Sequence, residues 1–376
     1  VDESVYAAMQ PYFCEVFGNP SSLHRFGRSA RDAINRAREQ VARLIGAQPA
    51  QVLFTSGGTE ANNTAIKGLL KPGERVLISA IEHPSLYEQA AVLRAHGIEV
   101  EMIPAQVNGQ VDLAVLDELL EADNVRLVSV MRVNNETGVI QPTQAIAERV
   151  RAAGALYHCD TVQAAGKLPL DWAQTGADLM SLSSHKIYGP KGAGALVLDK
   201  RVDIQALLHG GGHEQGLRAG TENLAAIVGF GAAAELAAQQ QSERAAHSLG
   251  LREQLEAGLA QLPGIVVFGQ GVERLPNTVQ FSVPGFDGEA LLMALDRHGI
   301  AVSSGSACSS GKGEPSHVLI NMGIDEVTAR AAIRVSLGKD NNAGEVQQFL
   351  QVLNELVQGK QADMAGRFAA VMGQGA

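Results

Sequence analysis

Lys186 lies in the stretch Ser183-Ser184-His185-Lys186-Ile187-Tyr188-Gly189-Pro190-Lys191-Gly192, where an apolar strand delivers a lysine into a turn between a histidine and glycines. A lysine held away from bulk water has a lowered pKa and attacks carbonyls, so this position suits Schiff-base chemistry. A solvated structural lysine is the plain alternative. The second reactive group is Cys308, in Ser303-Ser304-Gly305-Ser306-Ala307-Cys308-Ser309-Ser310-Gly311-Lys312-Gly313. Small neighbours offer nothing to bury this thiol, and a thiolate favoured by nearby cations would be a nucleophile free to reach out. Cys14 and Cys159 sit in apolar or strand contexts and read as inert fillers.

Other chemically loaded stretches fall where strands hand over to helices. Thr55-Ser56-Gly57-Gly58-Thr59-Glu60 sets glycines and hydroxyls beside the free N–H groups of a helix start, which makes a phosphate cradle or merely a tight turn. Asp160 ends the run Leu156-Tyr157-His158-Cys159-Asp160, with Gln163 just beyond it. Its carboxylate either keeps a ring nitrogen of a bound heteroaromatic protonated or caps the next helix. His83, followed by Pro84 at a helix start, either stacks on a flat ring and moves protons or caps that helix. His209 and His213 have the spacing of a helical metal pair, but the glycines between them rule out the helix. Those glycines resemble an oxyanion loop, yet the chain contains no Gly-x-Ser-x-Gly.

These residues must be held by a sizeable scaffold. The 376 residues exceed what one core usually serves, which predicts a large domain and a smaller one. With 45% hydrophobic and 19% charged residues the chain reads as globular, and a net charge of -10 argues against nucleic acid or an anionic membrane as partner. Three separated cysteines form no Cys-x-x-Cys pair, which fits a reducing, cytoplasmic compartment and no metal site. The most apolar run, Leu224 to Ala234, is too short to span a bilayer, and no leader is visible at Val1.

Apolar residues at helical spacing from Arg28 to Ile45 predict an amphipathic helix stopped by Gly46. Beyond it, Val52-Thr55, Val76-Ser79, Ile98-Ile103, Val125-Val130, Ala155-Asp160, Leu179-Ser183 and Ala193-Leu198 read as strands. The segments Pro84-His96, Asp112-Glu121 and Pro142-Ala153 read as crossover helices. The alternation predicts an α/β fold with a mostly parallel sheet, whose ligands gather at the carboxyl ends of its strands. A polar helix from Gln239 to Leu262, strands at Thr278-Val283 and Ala332-Leu337, and helices at Gly288-His298 and Glu345-Val357 predict a smaller α+β domain. The boundary is placed so that 1–240 form the large domain and 241–376 the small one.

Taken in order, Phe17-Gly18-Asn19-Pro20-Ser21-Ser22, Ser-His-Lys at 184–186, Arg218-Ala219-Gly220-Thr221, Ser-Ser-Gly-Ser-Ala-Cys at 303–308 and Ile333-Arg334-Val335-Ser336-Leu337 resemble the NifS/IscS-like (group I) cysteine desulfurases of the class V aminotransferase superfamily. The resemblance implies a pyridoxal 5'-phosphate-dependent transferase fold of the type I aminotransferase kind. It implies that Lys186 carries the cofactor as a Schiff base, that Asp160 pairs with the pyridine nitrogen and that Gln163 bonds the phenolic oxygen. Gly58, Thr59, Ser183 and His185 would hold the phosphate, joined by Thr221 from the second subunit of a homodimer. His83 would stack on the ring, and Asn135 and Arg334 would receive the substrate carboxylate, for which a guanidinium offers two-pronged geometry.

The implied reaction converts L-cysteine to L-alanine. Lys186 removes the α-proton, Cys308 takes the sulfur as a persulfide, and His83 handles a proton at the sulfur stage. The sulfur then passes to an acceptor such as an iron-sulfur scaffold or a tRNA-thiolation protein. Family members open with a Tyr-Leu-Asp-Asn-Asn-Ala-Thr-Thr-like stretch that would end just before Val1, and many have glycine where Ser184 stands. A selenocysteine lyase or a class V aminotransferase would use the same cofactor, although an aminotransferase needs no thiol. A non-catalytic sulfur-relay subunit would not need Lys186, Asp160, His83 and Cys308 together.

Overall fold

The computed structural model describes residues 1–304 and 314–373, with side chains as far as Lys360. The chain divides into two compact units. The larger spans Val1–Asn135, Val139–Arg244 and Val272–Leu275; the smaller takes Glu136–Gly138, Ala245–Gly271 and Pro276–Ala376. The division is therefore not a single cut in the chain.

The larger unit is built on seven strands, β1 (Val52–Thr55), β2 (Arg75–Ser79), β3 (Glu99–Ile103), β4 (Val125–Ser129), β5 (Leu156–Asp160), β6 (Leu179–Ser183) and β7 (Gly194–Leu198). They lie in the order β1-β7-β6-β5-β4-β2-β3. From β3 to β6 every pairing is parallel. The exception is β7, antiparallel to both β6 and β1. Link 184–193 carries only a 3-10 turn, with no crossover helix, so the chain can only double back. That hairpin holds Lys186, which is how an antiparallel strand enters a βα pattern.

Consecutive strand residues face opposite layers. Phe54, Leu77 and Val128 pack with Ile34, Val41 and Phe230, while their neighbours Leu53, Ile78 and Leu127 pack with Ala65 and Ile66 on the other face. Both faces of the sheet are covered, which explains strands that are apolar throughout rather than alternating. Burial of each such leucine or isoleucine stabilises the fold by about 2 kcal/mol. The amphipathic helix runs Arg25–Leu44, starting earlier than its apolar spacing indicates because His24 Nδ1 accepts the Gly27 N–H at 3.2 Å. The expected helix Pro84-His96 is two, Pro84–Tyr87 and Gln89–Ala95, and at the break the Gln89 side-chain amide reaches back to Ser85 O. The apolar run at 224 and the polar stretch after 239 form one helix, Leu224–Leu259.

In the smaller unit β8 (Val266–Val267), β9 (Thr278–Ser282), β10 (Ser303–Ser304) and β11 (Ala332–Ser336) form an antiparallel sheet in the order β10-β11-β9-β8. Its core gathers Leu255, Phe281, Leu291, Ile333, Phe349 and Leu353. The helix Gly288–Asp296 is capped by Asp287, which accepts the N–H groups of Glu289 and Ala290.

Candidate active site

The cradle forms where β1 meets the helix Gly58–Leu69. The first N–H groups of a helix have no partner within it, and here the first closed bond is Ala61 N–H to Gly57 O at 3.1 Å. Gly58 is forced by crowding, since a Cβ there would meet Val162 Cγ2 at 2.9 Å and Ser183 Cβ at 3.6 Å. Behind the turn, a Cβ on Gly194 of β7 would lie 2.6 Å from the main chain of Gly57. At the end of β6, Ser183 Oγ is 2.9 Å from His185 Nδ1.

The 3-10 turn Ser184–Ile187 buries Ser184 and Ile187 and turns His185 and Lys186 outward. It ends at Tyr188, whose φ of 66° is left-handed, a conformation that costs a side-chain-bearing residue about 1–2 kcal/mol. The contacts that hold it include Asp2 N–H to Tyr188 O at 2.9 Å, Gly189 N–H to Ser184 O at 3.0 Å, and the Arg244 guanidinium 5.0 Å from the centre of the Tyr188 ring. The pKa of His185 lies below its ordinary value, first through burial and then through the positive fields of Lys186, Lys191, His83 and Lys167. Ser183, bonded to His185, packs against Gly58 at the glycine-lined helix start, and positive potential from the nearby lysines favours an anion there.

Asp160 is buried at the end of β5. Its Oδ1 accepts the Val162 N–H at 2.9 Å and its Oδ2 accepts from Asn62 Nδ2 at 2.7 Å. Asp160 thus makes the expected local turn contact and still ties into a second element. Beneath it, His158 bridges Ser129 Oγ of β4 and Ser181 Oγ of β6, both at 2.9 Å, and burial pulls its pKa down to about 3. Glu82 accepts the Met131 N–H at 2.7 Å; complete burial, reinforced by the charge of Asp160, pushes its pKa well up.

An aminotransferase class-V family model matches residues 1–349. The chain belongs to that family. A cysteine desulfurase IscS from an Anaeromyxobacter species is 45% identical over 95% of this chain and 90% of its own. A solved NifS-like protein superposes with a TM-score of 0.89 at 37% identity, covering 95% of this chain and 96% of that one. The protein SspA, solved in complex with cysteine, superposes with a TM-score of 0.78 at 31% identity over 90% and 96%. The α/β fold of this class-V member is thereby the NifS-like one.

The remaining expected residues of this class-V family member fall as follows. His83 is half-buried and caps the helix Pro84–Tyr87, its Nδ1 accepting the Ser85 N–H at 3.1 Å. Gln163 Oε1 accepts from Lys167 Nζ at 2.7 Å. Thr59 and Thr221 are exposed and Asn135 is half-buried. In the smaller unit, Arg334 on β11 donates to Ser303 Oγ of β10 at 3.2 Å. Cys308 lies outside the described residues. Cys159 is buried, and burial raises its pKa to about 12. Cys14 corrects the sequence reading: it is exposed at the end of the short helix Pro11–Cys14 and fills no core. Among the described residues no group of side chains could hold a metal, and no helix is long and apolar enough to cross a membrane.

Asn62, Glu60 and Arg218 have no individual role in the sequence reading. Glu60 accepts the Ser56 N–H at 2.8 Å and Arg218 Nε at 3.0 Å. Burial opposes ionisation of Glu60, but Arg218 and Ser56 outweigh it and hold the carboxyl below the usual range.

Proposed function

We propose that the chain is a pyridoxal 5'-phosphate-dependent cysteine desulfurase in which Lys186 carries the cofactor, L-cysteine is the substrate and L-alanine the product. The observation that carries this is the junction where Ser183, bonded to His185 beside Lys186, packs against Gly58 at the glycine-lined start of the helix Gly58–Leu69. The residues fit the cofactor: the N–H groups ahead of Ala61 at the helix start have no partner within the helix and suit a phosphate, and the buried Asp160 stands at the end of a central strand. When bound, the cofactor supplies an electron-withdrawing ring that stabilises negative charge at the substrate's α-carbon.

Gly58, Thr59, Ser183 and His185 hold the phosphate, and Thr221 of a second copy completes the set. Asp160 pairs with the ring nitrogen, Gln163 with the phenolic oxygen, and His83 covers the ring. Asn135 and Arg334 bind the carboxylate of L-cysteine. Lys186 Nζ removes the α-proton. The Cys308 thiolate accepts the substrate sulfur, so that its S–S bond forms as the substrate C–S bond breaks, and protonation of that β-carbon together with return of a proton to the α-carbon yields alanine. His83 moves a proton at this stage.

A homodimer is supported by exposed large apolar side chains near the N-terminus, among them Phe17 and Phe26, whose rings stack with centroids 6.1 Å apart. Solvent-exposed clusters of this kind mark protein contacts. The persulfide of Cys308 goes to a sulfur-acceptor protein, such as an iron-sulfur scaffold. The test is a visible spectrum before and after borohydride, with alanine and sulfide measured from L-cysteine. A chain that binds pyridoxal phosphate but releases no alanine from L-cysteine is not a desulfurase.

A further inference from the structure

Asn62 is 1% exposed in the helix Gly58–Leu69. Its amide nitrogen donates to two acceptors, Asp160 Oδ2 at 2.7 Å and Ser85 Oγ at 2.8 Å. The opposite amide orientation would set Oδ1 against a carboxylate oxygen, so the chemistry dictates which end faces Asp160. Both hydrogens of Nδ2 are used, while the buried Oδ1 makes no hydrogen bond. An unsatisfied buried acceptor is unfavourable, so this side chain is kept for its two donors.

Ser85 extends the connection. Its Oγ lies 2.8 Å from His83 Nδ1, and its own N–H donates to the same nitrogen at 3.1 Å. Asn62 already donates to the Ser85 oxygen, which turns the serine hydroxyl hydrogen toward His83. With Nδ1 accepting, the imidazole carries its proton on Nε2.

We propose that Asn62 is a positioning residue that couples Asp160 to His83 through Ser85, so that the carboxylate and the Nε2–H tautomer of the imidazole are set together. The consequence for catalysis rests on the roles of Asp160 and His83 proposed above; the tautomer does not. Three hydrogen bonds across three chain segments orient both groups from one amide. The Ser85 N–H favours the same tautomer, and the hydroxyl hydrogen directed by Asn62 adds a second donor to Nδ1 that packing alone would not supply.

The experiment is 15N NMR of the histidine rings in the purified full chain, with His83 assigned by loss of its signal in His83→Gln. The wild type is expected to show the Nε2–H tautomer. Asn62→Leu and Ser85→Ala should each shift His83 to a mixture, and the double variant should shift it no further, as for two links of one chain. Turnover of Asn62→Leu should fall about tenfold, in the range lost when outer partners of a site are removed. A wild-type His83 protonated on Nδ1, or a tautomer unchanged in Asn62→Leu, overturns the proposal. If Asn62→Leu does not fold, Ser85→Ala read in the same way decides. Absence of a borohydride-reducible link at Lys186 would instead refute the cofactor assignment while the tautomer result stood.

Discussion

Arg218 Nε lies 3.0 Å from Glu60 Oε1, joining the segment that carries Thr221 to the first turn of the helix Gly58–Leu69. The bond spans 158 positions in the chain, so one side of the cradle is set by a residue far from it in sequence. Arg218→Gln should weaken retention of pyridoxal phosphate by about tenfold, since a lost charged hydrogen bond is worth roughly 1.5–3 kcal/mol before the site relaxes. Equilibrium dialysis of the variant measures this directly. Unchanged affinity would leave the ion pair with a structural role only.

Lys186→Ala should abolish the borohydride-reducible attachment of the cofactor while leaving the unfolding midpoint nearly unchanged, because the side chain is exposed on its turn. Peptide mapping of the reduced wild type checks the assignment. A pyridoxyl group on Lys167 or Lys191 would move it elsewhere.

Asp160→Ala should lower turnover by about 10²–10³, the scale on which a preorganised electrostatic partner acts. Stability should fall by only about 1–3 kcal/mol, for an Asn62 donor left unpaired. Near-normal alanine production by the variant would reduce Asp160 to its turn contact with Val162.

Cys308→Ser should still bind pyridoxal phosphate and L-cysteine but yield neither persulfide nor stoichiometric alanine. Mass spectrometry after a single turnover should find the added sulfur on Cys308. Cys159 is excluded by burial and by a pKa near 12, whereas Cys14 is exposed and serves as the control. Sulfur on Cys14 would sink the mechanism.

The buried His158 makes stability depend on pH. Its folded pKa of about 3 lies below the ordinary histidine value of 6.5, so between those values the unfolded chain binds a proton that the native chain does not. Stability should therefore decline as pH falls from about 6.5 toward about 3, by up to about 1.4 kcal/mol per pH unit from this group. Denaturant titrations across that range should give a shallower slope for His158→Asn.

The seven strands of the large sheet were legible from their β-branched runs, to within a residue at each end. Apolar periodicity reports burial, and burial on both faces is what those strands have. The antiparallel setting of β7 carries no side-chain signal and was readable only from the shortness of the 184–193 link, which leaves no room for a crossover helix. At the site, Lys186, Asp160 and His83 stood out by residue type beside glycines and strand ends. Asn62 did not, since an asparagine inside a helix carries no signal until the fold brings Asp160 and Ser85 to it. Arg218 and Glu60 escaped for the same reason, as partners remote in sequence.

Gly194 faces Gly57 with no room for even a methyl group between their main chains. A saturation library at position 194 should consequently return glycine alone among active clones, alanine included among the losses. The spacing of the cradle from the sheet is thus a backbone dimension that side-chain substitutions elsewhere cannot retune. Attempts to enlarge the site for bulkier amino-acid substrates would have to proceed from the opposite wall.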